Sequence, residues 1–164
     1  MKKEQIYALQ GMLSAAGAWL SNKFGILYPM MMILIAMMFT DQLTGMYASK
    51  KEALDHPNDD SYGWSSVKWR KGIYKKLGYL LTAIAAIVVD YVLFRCAKYM
   101  GIMVTANTIF GLLTIIWLIL NELLSITENA GRLGAPLPDF LQKVLVVMKS
   151  KVEKKANEES AGVE

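Results

Sequence analysis

Along the chain, long stretches without a charged residue alternate with short basic segments. Gln5 to Asn22 holds 18 uncharged residues, Phe24 to Thr40 17, Leu77 to Val89 13 and Tyr99 to Asn121 23. A bilayer core about 30 Å thick is crossed by about 20 helical residues rising about 1.5 Å each. The runs are therefore read as spans at about 5–22, 24–41, 75–94 and 100–122, the third continuing past Asp90 to Phe94 and so holding one carboxylate. The pattern predicts an all-α, polytopic transmembrane helical bundle of three or four spans over residues 1–141, with a basic loop and a basic tail over 142–164. The first run sets the ambiguity. Gln10, Gly11, Ser14 and Gly17 dilute it, and although Lys2 and Lys3 before apolar residues imitate a secretion signal, these breaks favour an uncleaved span or an interfacial helix.

Charge orients the bundle. The chain carries 18 Lys and Arg in 164 residues, a net charge of +4, and a basic surplus can signal nucleic acid. Here the basic residues fall between the apolar runs and after the last, where anionic headgroups of a lipid bilayer explain them better, so nucleic acid is not expected as a partner. With four spans, 15 of these residues lie on the side of both termini and the Asp41–Lys76 connection, against Lys23, Arg95 and Lys98 opposite. With three, the count is 13 to 5 and the N-terminus changes sides. Either way the positive-inside rule makes the central loop and C-terminal tail cytoplasmic in a bacterial membrane. Within the tail, Val144 to Met148 suggests a short surface helix, and Lys149 to Glu164 has a disordered composition.

Candidate chemistry is sparse. Cys96 is the single cysteine and His56 the single histidine, so no disulfide or metal site is expected. No nucleophile and base pair or glycine-rich phosphate loop is visible, so neither an enzyme nor a cofactor is expected. Trp64, Lys68, Trp69, Arg70, Lys71, Lys75 and Lys76 interleave rings and cations as a membrane-surface anchor before the third span does. Asn107, Gly111, Thr114, Asn121, Ser125 and Glu128 form a stripe at helical spacing on the last span, with Leu118 completing the row. Two readings fit that stripe: packing within one bundle, or a self-association face that lines a lesion. Asp41 and Glu122, at span ends near Lys75 or Lys76, read as solvated interfacial acids. Asp90 lies deeper, where an unpaired charge would cost about 2.5 kcal/mol or more, so pairing with Arg95 or contact with water is expected.

The stretch closing the last span carries a longer pattern. Asn121, Glu122, Ser125, Glu128 and Asn129 spell N-E-x-x-S-x-x-E-N, followed by G-x-P-x-P at Gly134, Pro136 and Pro138. Upstream, Asp41, Thr44 and Gly45 form D-x-x-T-G, Ser65 or Ser66 precedes Gly72, Lys75 and Lys76, and Asp90 stands in the next span. In this order the motifs resemble the toxin-secretion/phage-lysis holin family of clostridia and Gram-positive phages, over roughly residues 30–145. Two departures are a longer loop at Asp55–Trp64 and an added segment at Met1–Trp19. The resemblance implies a protein that accumulates as a homo-oligomer in the host cytoplasmic membrane and opens it at a set time. The opening releases a peptidoglycan hydrolase (endolysin) or a large toxin. Alternatives from other classes are an antiholin or another regulatory or structural membrane protein, and a small ion-coupled transporter using Asp90 and Glu122; against the last, no internal repeat is visible.

Overall fold

The computed structural model describes residues 3–59, 62–103, 108–136 and 138–161. Among them the chain is helical, with no strand: α1 (Lys3–Phe24), α2 (Leu27–Asp55), α3 (Ser66–Tyr99), α4 (Ile109–Arg132) and α5 (Asp139–Ala161). Three helices, α2, α3 and α4, are long and apolar enough to cross a membrane. α1 is not among them, for the glutamines, serines and glycines in it lower its hydropathy. It buries no residue, and among the described helices it packs on α2.

α4 is the central helix, packed most extensively on α2, then on α3 and α5. The reason lies in its sequence. Ile115, Leu118, Ile119 and Glu122 recur at helical spacing and are all buried. Against them lie Leu27, Leu34 and Met38 of α2 and Ala83 of α3, whose small side chain lets the helices approach. Elsewhere the spans turn apolar residues outward: Met32, Ile33, Ile35 and Phe39 on α2, and Leu81, Ile84, Val88 and Val92 on α3, are exposed. At most a third of each helix's apolar window is buried. In water such continuous apolar surface would drive aggregation; in lipid it is the solvated face.

Helix ends are set by local chemistry. At the end of α4, Gly134 adopts φ 87°, its N–H donates to Gly131 O at 2.9 Å and that of Ala135 to Ala130 O at 3.0 Å. This closure needs a residue in the left-handed region, which glycine adopts without strain. Pro136 cannot resume the helix, and Pro138 O accepts from Leu141 N at 2.9 Å as α5 begins. The G-x-P-x-P motif is thus a helix stop and restart.

α5 then folds back along α4. It is a single helix to Ala161, longer than the short surface helix read at 144–148. The difference has a tertiary cause: Trp117 Nε1 of α4 donates to Glu153 Oε1 at 2.8 Å, and Lys149 Nζ lies 5.0 Å from the same ring's centroid. Lys, Glu and Ala are also good helix formers once a partner holds the segment.

Candidate functional site

Apart from Asp90, the polar side chains that bond between spans gather at one end of the bundle, where α2 and α4 finish and α3 begins. Lys76 of α3 donates to Asp41 Oδ2 of α2 at 2.7 Å and to Glu122 Oε2 of α4 at 2.5 Å. Asn129, about two turns beyond Glu122, donates to Asp41 Oδ1 at 3.0 Å and to Thr44 Oγ1 at 3.3 Å. Its own carbonyl oxygen accepts from Arg132 Nη1 at 2.9 Å, and Arg132 closes on Glu52 with two parallel bonds of 2.7 Å. The result is one continuous network across three helices. Gly45 of α2 lies against this network, where a Cβ would make ordinary contact with the Asn129 amide at 3.4 Å.

Burial decides what this network can do. Glu122 is 3% exposed and the Lys76 side chain 13%, so these are not the solvated interfacial acids read from the sequence. One ammonium satisfying two carboxylates is stable in the interior only while every partner is in place. Further out, past the apolar stretch of α2, the Arg132 guanidinium holds the Glu52 carboxyl below its usual value of 4.5, chiefly through their hydrogen bonds and despite partial burial.

Beside the network lies a cavity of about 270 Å³ between the ends of α2, α3 and α4. Asp41, Gly45, Gly72, Ser125 and Asn129, all from the motifs, line it together with Trp64, Lys68 and Trp69.

At the opposite end Asp90 of α3 takes a different role from the one expected. Its carboxylate accepts from Phe110 N at 2.9 Å and from Gly111 N at 2.6 Å, capping the first turn of α4, whose own N-cap residue Thr108 makes no side-chain capping bond. Arg95, the expected partner, lies instead over the Tyr91 ring at 6.0 Å.

The structure divides the α4 stripe. Asn107 lies outside the described residues. Gly111 is buried between α3 and α2, where a Cβ would stand 3.0 Å from both Asp90 Oδ2 and Ile87 Cγ1. Leu118 is in the core and Ser125 faces the cavity. Thr114 and Asn121 are half-buried and Glu128 is exposed. Of the anchor residues, Trp64, Lys68, Trp69, Arg70, Lys71 and Lys75 are exposed, whereas Lys76 turns inward to the two carboxylates. Arg132, Glu52 and Ser49 were not singled out in the sequence. Arg132 sits one turn after Asn129, the spacing at which side chains on one helix face meet, and that was the available signal.

Fold and site together define a helical membrane protein whose three spans are tied at their basic end by a buried ionic network. The family model of the bacteriophage holin family matches residues 18–150, most of the chain, and the chain belongs to that family. The match is wider than the motif-bearing stretch and leaves most of α1 and the end of α5 outside it. No curated protein and no solved structure matches the chain.

Proposed function

We propose that this holin-family chain associates with copies of itself in the bacterial cytoplasmic membrane and opens a lesion that releases a peptidoglycan hydrolase, or a toxin, at a set time. The observation that carries the reading is the family match extending across all three candidate spans. The central loop and tail are placed in the cytoplasm on the basic side. For association the available part of α4 is Thr114 and Asn121, with Glu128 at its end, while Gly111 and Ser125 serve the single chain. Interhelical hydrogen bonds of this kind contribute about 0.6 kcal/mol each in membranes, so assembly depends on many contacts above a threshold density.

Controlled expression in a bacterium tests the reading. Growth should stop abruptly with loss of membrane potential, and a co-expressed hydrolase should then reach the wall. Continued growth with full membrane accumulation would sink it. The alternative, an antiholin, is favoured by α5 lying on α4 at Trp117, and it would show as delayed lysis when co-expressed with an active holin.

A further inference from the structure

We infer that the groove between α1 and α3, at the end opposite the ionic network, holds one anionic glycerophospholipid, with its phosphate at Lys23 and Arg95 and one acyl chain laid over α2. The inference rests on membrane embedding and not on lesion formation.

Shape is the first argument. α1 and α3 each pack on α2 but, among the described residues, not on one another, so a furrow runs between them. It has two parts. The mouth, about 650 Å³, is bordered by Asn22, Lys23, Arg95 and Thr108. The inner limb, about 320 Å³, is lined wholly by apolar and aromatic residues, among them Leu20, Met31, Ile84 and Val88. Phe24, Leu27 and Ile87 border both parts, so a charged mouth runs directly into a hydrocarbon limb. Each part falls within the range of about 300–1,000 Å³ that small-molecule sites occupy. A wholly polar solute would leave the limb unfilled, and a wholly apolar one would leave the mouth unmatched.

Depth is the second. Lys23 separates the first two uncharged runs and Arg95 closes the third span, so both cations stand where helices leave the hydrocarbon. From Arg95 the limb reaches inward to Ile84, 11 residues earlier (95 − 84) on α3, or about 16 Å along the helix. Half of a bilayer core about 30 Å thick is about 15 Å. The limb therefore has the depth of one leaflet's acyl chains.

Charge is the third. Lys23 Nζ lies 5.7 Å from the centroid of the Trp19 ring, and the Arg95 guanidinium 6.0 Å from that of Tyr91. A ring face positions a cation but, being neutral, leaves its charge in place, whereas Lys76 and Arg132 are matched by carboxylates. Asp90, which also borders the mouth, is 6% exposed and turns its oxygens to the amides of Phe110 and Gly111. Two cations against that one carboxylate leave a positive surplus, which suits a phosphodiester, and a guanidinium can bond two phosphate oxygens at once. The Asn22 amide and Thr108 hydroxyl add neutral donors. A zwitterionic lipid would bring a further cation to the same mouth.

The test uses the full chain in detergent micelles, with native mass spectrometry after incubation with phosphatidylglycerol or phosphatidylcholine of identical chains. One phosphatidylglycerol should be retained with about tenfold preference, the worth of one charge-assisted hydrogen bond. Arg95→Gln, at an exposed position, should weaken that preference several-fold, and adding Lys23→Gln should abolish it. Lys98→Gln, which removes a nearby cation outside the groove, should leave it unchanged. Val88→Phe, which fills the limb from a side chain 53% exposed, should lower retention of both lipids several-fold. Equal retention of the two lipids by the wild type, or equal effects of Arg95→Gln and Lys98→Gln, overturns the site. Wild-type retention in Val88→Phe overturns the acyl-chain assignment, and displacement by inorganic phosphate at the lipid's own concentration overturns the lipid in favour of a free anion. Retention is measured without lysis, so a chain that binds lipid yet opens no lesion would count against the holin activity alone.

Discussion

Lys76 shows how much a single side chain can hold. Removing it leaves Asp41 and the buried Glu122 without their shared cation, and breaking a buried pair from one side costs about 3–5 kcal/mol. Lys76→Met should therefore unfold the bundle at markedly lower denaturant or temperature in micelles, and adding Asp41→Asn with Glu122→Gln should recover much of the loss; no recovery would mean that the charges are not the cause. The sequence brought both acids near Lys75 or Lys76 but could not choose between them. Neighbours on a helix point about 100° apart, so the choice depends on which face α3 turns to α4, a tertiary fact. For the Glu52–Arg132 tie the sign is fixed by the depressed carboxyl. Its stabilisation is fully present above the ordinary glutamate value and is lost as pH falls through the lower folded one. Being partly exposed, the pair is worth about 0.2–1 kcal/mol, so Glu52→Gln should lower stability slightly at neutral pH and leave it unchanged in strong acid.

Helices here depend on one another for their ends. Asp90 supplies the cap that Thr108 does not, and Gly111 is the position that allows it. Asp90→Ala should leave two amides of α4 without acceptors, at about 1–3 kcal/mol for each that stays buried, while Asp90→Asn should retain part of the cap. Gly111→Leu should then lower the amount of folded chain in the membrane. Normal accumulation with delayed lysis would instead return Gly111 to the association face. The three apolar helices were legible from uncharged runs alone, because lipid demands them. The cap was not, since Asp90 and Gly111 are 21 residues apart and nothing local links them. The end of α4 was present in the sequence as G-x-P-x-P, though as a family mark and not yet as backbone geometry.

At the scale of the whole molecule, α5 is the element whose position depends most on its surroundings. Trp117 lies 15 residues before the end of α4, about 22 Å along the helix, inside the uncharged run, so docked α5 carries Lys149 and Glu153 to that depth. In lipid each such charge would cost about 2.5–3.5 kcal/mol, against one hydrogen bond and one cation–π contact; Trp117→Phe, which loses the indole donor, should loosen α5 and raise its amide exchange. The tether between α4 and α5 is short, residues 133–138, so α5 meets α4 at an effective concentration in the millimolar range. If copies associate through this flank of α4 as proposed, a second copy must outnumber that tethered rival, and the linker length would then set the timing. Inserting a flexible ten-residue spacer after Gly134 should bring lysis forward at equal expression, and removing α5 should bring it forward further. Unchanged timing in both would mean that copies meet on a surface α5 never covers.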